Sequence, residues 1–146
     1  PPNRRHLWRG YYLPSVSKRP CPKLMVALDT SGSISDELLS QFVCEVNAIM
    51  QEMRCAVHVV VCDAEAHYAG VFDDEPIGDI KAVGRGGTDF RPPFDLADQM
   101  TLDLDGAVYL TDGYGTFPDS PRLRTLWVIT SNVKAPCGET VTMPLN

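Results

Sequence analysis

Histidine is scarce in this chain, cysteine never occurs as a C-x-x-C pair, and no apolar run is long enough to cross a bilayer. The three histidines, His6, His58 and His67, show no ligand spacing with Cys21, Cys44, Cys55, Cys62 or Cys137, so a zinc site is not expected. Five cysteines is an odd number, and Cys44 on a helix face and Cys62 in a strand fall where a small apolar thiol packs well. Reduced thiols in a reducing, cytoplasmic setting are the expectation, over a disulfide or two. The first residues are polar and Pro-rich and lack a signal-peptide core. Excess positive charge is missing as well. A formal net charge of -6 argues against a nucleic-acid footprint, and the basic residues that do cluster (Arg4, Arg5, Arg9, Lys18, Arg19) read as a solvated arm. There is no internal repeat and no low-complexity tract.

What is present suits one domain of ordinary composition: 146 residues, 44% hydrophobic and 22% charged. The abrupt start at Pro1-Pro2 suggests a piece of a longer protein. Residues 1–22 read as an extended arm or interdomain linker carrying Trp8, Tyr11 and Tyr12, and residues 23–146 as the folded domain. Leu24 to Leu28 is a continuous apolar run ending in Asp29. Continuous rather than alternating hydrophobicity marks a strand buried on both faces. A helix is predicted from Asp36 to Met53, capped by Ser35, with Leu39, Phe42, Val43, Val46, Ile49, Met50 and Met53 on one apolar stripe. Further strands are predicted at 56–62, 67–72 (antiparallel, at the edge), 107–110, 123–130 and 139–145, and a short helix after Arg91 has Pro in its first turn. The sum is a doubly wound, Rossmann-like open α/β sheet, mostly parallel with one antiparallel edge strand. The loop Gly113–Pro121 stands where a helix often sits, so one sheet face is expected to be either partly bare or covered by the arm through Trp8–Leu13.

In such a sheet ligands sit beyond the carboxyl ends of the strands. Asp29, Ser31 and Ser33 follow the first strand, Thr88 sits in Gly86-Gly87-Thr88-Asp89, and Asp112 closes a strand in Thr111-Asp112-Gly113. Two carboxylates and three hydroxyls form a hard-oxygen set that suits Mg²⁺ or Mn²⁺. The carboxylates neutralise the ion, the hydroxyls fill positions without adding charge, and one position stays open to an incoming oxygen. No protein nucleophile with an activating base stands beside them. A site that holds a metal and offers it to a partner is therefore expected, with an Asp or Glu of a protein ligand as the incoming group.

Asp29-x-Ser31-x-Ser33, Gly86-Gly87-Thr88-Asp89 and Thr111-Asp112-Gly113 together resemble the metal-ion-dependent adhesion site (MIDAS) of von Willebrand factor A (VWA) domains, from about Lys23 to the end. The resemblance implies direct coordination by Ser31 and Ser33, with Asp29, Thr88 and Asp112 bound directly or through water. The chain is also similar to the VWA-like carboxyl-terminal domain of bacterial predicted metal-dependent peptidases, through Arg4-Arg5, Gly10–Ser15, Asp29–Ser35 and Arg85–Phe90. In those proteins an upstream peptidase-like domain would carry H-E-x-x-H. That motif is absent here, so the resemblance transfers no peptidase activity to this domain. No long amphipathic helix is expected between the last strand and Asn146, so the terminal-helix shift that regulates affinity in relatives such as integrin inserted domains is not expected here.

Two other functions compete. A Rossmann-like metal-dependent phosphohydrolase wants Asp-x-Asp after the first strand; here the second position is Ser31, and no Lys lies near Thr111-Asp112-Gly113. A structural domain with an unused metal site would not need all five positions. Blander readings stand beside the sharper ones. Asp63 is read as a hairpin residue, Asp73-Asp74-Glu75 as a solvated turn, His58 as a core histidine and His67 as a rim residue. Tyr114 and Phe117 either frame the partner pocket or seal their loop against the sheet.

Overall fold

The computed structural model describes residues 22–144 other than 74, 79 and 81–85; the expected arm, including Trp8–Leu13, lies outside them. Six strands, β1 (Lys23–Asp29), β2 (Ala56–Cys62), β3 (Ala66–Phe72), β4 (Gly106–Thr111), β5 (Thr125–Ile129) and β6 (Glu139–Thr142), form one sheet in the order β3-β2-β1-β4-β5-β6. All neighbours pair in parallel except β2 with the edge strand β3. The order turns back between β1 and β4, so the crevice of this α/β sheet opens where those two strands end. The expected α/β architecture and its single antiparallel edge strand are both present.

The continuous apolar strands are explained by two covered faces. Leu24, Val26 and Leu28 of β1 point to one side with Val57, Val59, Val61, Val108 and Leu110, while Met25 and Ala27 point to the other with Val60, Tyr109 and Trp127. The first face is covered by α1 (Asp36–Met53). Its Leu39, Phe42, Val43, Val46, Ile49 and Met50 are buried at the predicted spacing. Ser35 caps the helix by accepting the Leu38 N–H at 3.1 Å, and Asp36 and Glu37 sit at the positive end of the helix dipole. Cys44 departs from the expectation: it is exposed, and Glu45 is buried in the next position. The stripe is centred so that Cys44 falls just outside it.

The second face is not bare. α2 (Pro92–Gln99) lays Phe94 and Ala97 on it. Tyr109 and Trp127 stack with ring centroids 4.9 Å apart. Phe90 meets Phe117 edge-on at 4.8 Å, and Phe117 meets Trp127 at 4.9 Å. The loop after β4 therefore supplies its own cover through Phe117, where a helix was missing from the sequence pattern. Truncating a ring as enclosed as Trp127 costs about 3–5 kcal/mol. This cluster holds the loops of the crevice from below.

Candidate metal site

β1 delivers Asp29 to the crest and the chain turns at once into α1. Asp29 is fully buried. Its Oδ1 accepts the Ser31 N–H at 2.9 Å and its Oδ2 accepts the Thr111 hydroxyl at 2.5 Å. The Ser31 and Ser33 hydroxyl oxygens lie 3.3 Å apart, and the Ser33 hydroxyl donates to Asp112 Oδ2 at 2.6 Å. Asp29, Ser31, Ser33 and Asp112 are thus joined by an unbroken series of short contacts across the ends of β1 and β4. Asp112 is itself held: its Oδ1 accepts the Tyr114 N–H at 3.2 Å, and its carbonyl accepts the Ser131 hydroxyl at 2.6 Å.

Thr88 reaches the crest by a different route. Its loop is laced to both neighbours, with Gly32 N–H donating to the Gly86 carbonyl at 3.3 Å and Phe90 N–H to the Thr116 carbonyl at 2.8 Å. Its methyl group lies over Gly115, where a Cβ would come within 2.6 Å of it. The Thr88 hydroxyl forms no hydrogen bond with the other four residues. The structure brings its loop beside them without closing the contact. Asp89, next in sequence, is turned away into a two-pronged pair with Arg91, Nε to Oδ1 at 2.9 Å and a terminal nitrogen to Oδ2 at 2.8 Å. Those bonds hold the Asp89 carboxyl below its usual range.

The electrostatics of the crest are those of an anionic site without a cationic side chain. Burial pushes the Asp29 carboxyl above its usual range, hydrogen bonds from Thr111 and Ser31 oppose this, and the like charge of Asp112 adds to the rise. Among the described residues no Lys, Arg or His pairs with Asp29 or Asp112. The Thr30 hydroxyl, in the same turn, is buried without a hydrogen-bond partner. Paired carboxylates need positive charge when one of them is out of water, and the donors around them are all hard oxygens. This donor set fits Mg²⁺ or Mn²⁺. Among the described residues no group of three or more His, Cys, Asp or Glu converges on a point; hydroxyls make up the remainder of the set here.

Three contributors escape the sequence pattern. Thr111 ends β4 looking like any β-branched strand residue, yet its hydroxyl bonds Asp29 and accepts the Gly113 N–H at 3.0 Å. Ser131 lies in a loop far along the chain and carries no local signal. Asp63 is a hairpin residue, accepting the Glu65 N–H at 3.0 Å, but its other oxygen accepts the Gly86 N–H at 2.9 Å. Burial works against its ionisation, yet the N–H groups of Glu65 and Gly86 outweigh it and hold the carboxyl below its usual range. The two aromatics of the loop differ in burial. Phe117 seals the loop, and Tyr114 stands 63% exposed beside Asp112. His58 is half-buried rather than a core residue, with Nδ1 2.8 Å from the Tyr68 hydroxyl.

Comparison with known proteins gives a consistent fold. The model of a family described as VWA-like domain (DUF2201) matches residues 24–144. A Thermotoga maritima protein named only as uncharacterized is 33% identical over 132 residues, which is 88% of this chain but 31% of that protein. The chain therefore spans under a third of the length of that relative. Among solved structures, an aerotolerance-related membrane protein from Bacteroides fragilis, bearing multiple mutations to serine, superposes with a TM-score of 0.56 at 16% identity. That alignment covers 86% of this chain and 74% of the other. The conserved hypothetical protein BatB from Bacteroides thetaiotaomicron gives 0.55 at 15% identity, covering 83% and 80%. At such identities the structural likeness speaks for the fold alone. No helix among the described residues is long and apolar enough to cross a membrane.

Proposed function

The chain belongs to the VWA-like domain family DUF2201, and from that membership we propose that it is a Mg²⁺-dependent protein-binding module whose cation takes a carboxylate from a partner. The observation that carries this reading is the Ser33–Asp112 hydrogen bond at 2.6 Å, which draws the end of β4 onto the turn that holds Asp29 and Ser31. Asp29, Ser31, Ser33, Thr88 and Asp112 are the residues that would hold the ion. Bound there, Mg²⁺ or Mn²⁺ supplies a positive Lewis-acidic point that favours an anionic oxygen.

The chain's own residues do the rest. Asp29 offers its charge from a dry position, where electrostatic attraction is screened least. Thr111 and the Ser31 N–H fix the orientation of its carboxylate. Ser33 and Asp112 stand at the rim, within reach of a partner. Tyr114 adds an exposed aromatic surface beside them, the kind of rigid side chain that interfaces favour. Nothing in the arrangement favours phosphoryl chemistry. The Asp-x-Asp pair of that chemistry would need a second acid where this chain has Ser31. A cytoplasmic setting in a bacterial protein, beside an upstream peptidase-like domain, belongs to the same proposal. Cys44, Cys62 and Cys137 are free thiols, which suits a reducing compartment.

The test is capture of partners on the immobilised chain in Mg²⁺ and in EDTA, with Asp112→Ala as the control. A set of proteins retained in Mg²⁺ and lost both in EDTA and on the variant supports the module. Identical sets in all three conditions contradict it.

A further inference from the structure

We infer that Asp63 is a positioning residue for the cation site, fixing the Thr88 loop against the turn of Ser31 and Ser33; the inference rests on the metal reading above. A hairpin aspartate needs only its local bond, here Oδ1 accepting the Glu65 N–H at 3.0 Å. The second oxygen leaves the hairpin and accepts the N–H of Gly86, 23 residues away, at 2.9 Å. The main-chain carbonyl of the same residue accepts the Asp89 N–H at 3.0 Å. One buried residue therefore pins the Gly86–Asp89 loop at both ends, and Thr88 lies between the two pins. The Gly86 carbonyl in turn accepts the Gly32 N–H at 3.3 Å, inside the turn that carries Ser31 and Ser33. The line of force runs from Asp63 through Gly86 to both sets of hydroxyls.

The fit at Gly86 is close. A Cβ there would stand 3.3 Å from Asp63 Oδ2, tighter than most side-chain contacts, so the carboxylate is seated directly on the glycine backbone. Hydroxyl ligands contribute to a small cation only at closely defined distances, and Mg²⁺ tolerates little deviation from octahedral geometry. Thr88 has no hydrogen bond of its own to set its distance from Ser31 and Ser33. The spacing is left to the backbone that Asp63 holds. Residues that orient metal ligands from behind typically change metal affinity by about 10–100-fold when removed.

Calorimetric titration of Mn²⁺ into the wild-type chain, Asp63→Ala, Asp63→Asn, Thr88→Ala and the Asp63→Ala/Thr88→Ala double variant tests this, with circular dichroism to confirm folding. The expected result is an affinity loss of about 10–100-fold for Asp63→Ala. Asp63→Asn, whose amide oxygen can still accept one N–H, loses less and carries the test if Asp63→Ala does not fold. Removing Thr88 should weaken binding in the wild-type background and change little once Asp63 is gone, the non-additivity expected of residues acting through one contact. Losses that simply add, or an Asp63 variant that binds as tightly as wild type while melting earlier, overturn the inference and leave the metal reading standing. A wild-type chain that binds no Mn²⁺ overturns the metal reading, and this inference with it.

Discussion

The hydroxyl of Thr111, the last residue of β4, donates to Asp29 Oδ2, on the last residue of β1, at 2.5 Å across 82 positions of sequence. Both groups are fully buried. The same hydroxyl accepts the Gly113 N–H, so one side chain ties the acid of the first strand to the loop that carries Asp112. Thr111→Val keeps the shape and deletes the hydroxyl. It strands a buried carboxylate oxygen and a backbone N–H, and is expected to lower metal-free stability by about 1–3 kcal/mol. Urea unfolding in EDTA measures it. Thr111→Ser should recover most of the loss, whereas a valine variant of wild-type stability would mean the bond contributes nothing.

Gly115 makes a sharper prediction because it is glycine for want of space. A Cβ there would lie 2.6 Å from the Thr88 methyl and 2.8 Å from the buried ring of Phe90. Phe90 is wedged among Phe117, Tyr109 and Trp127 and cannot retreat cheaply. Gly115→Ala should therefore destabilise the fold by about 1–3 kcal/mol and shift Thr88. Melting curves and Mn²⁺ titration should both move. A variant that loses stability with unchanged affinity would remove Thr88 from the ligand set.

His58 supplies a pH dependence away from the crest. Burial, then the charge of Lys23, hold its imidazole below the ordinary value of 6.5. The folded chain thus takes up this proton later than the unfolded chain as pH falls. Its contribution to stability is present above the ordinary value and is lost as pH falls through the lowered one. An NMR titration of the His58 ring should give a midpoint below 6.5, and His58→Gln should flatten the stability profile over that window. A midpoint at or above the ordinary value contradicts this environment.

Much of the fold was legible because its strands are buried on both faces. β1 and β4 read as unbroken apolar runs, β2 as a Val-rich run interrupted only by His58, and α1 as a stripe at helical spacing. Asp29 and Asp112 were legible as strand-terminal acids at the point where the sheet order turns back. What remained hidden was whatever depends on a second partner. Thr111 looks like strand, and only the register of β1 beside β4 aims its hydroxyl at Asp29. Asp63 shows its local bond in the sequence and hides the bond to Gly86. Phe117 and Tyr114 sit three residues apart in one glycine-containing loop, so composition could not say which would turn inward. Cys44 lies one position outside the apolar stripe, too fine a distinction for spacing alone.

The most direct measurement is calorimetric titration of Mg²⁺ and Mn²⁺ into the chain at neutral pH, repeated with Asp29→Asn and Asp112→Ala. Saturable binding to a single site at millimolar concentration or below is expected, lost in both variants while each remains folded. Absence of any binding to the wild-type chain in that range, or binding that both variants retain, would contradict the metal reading.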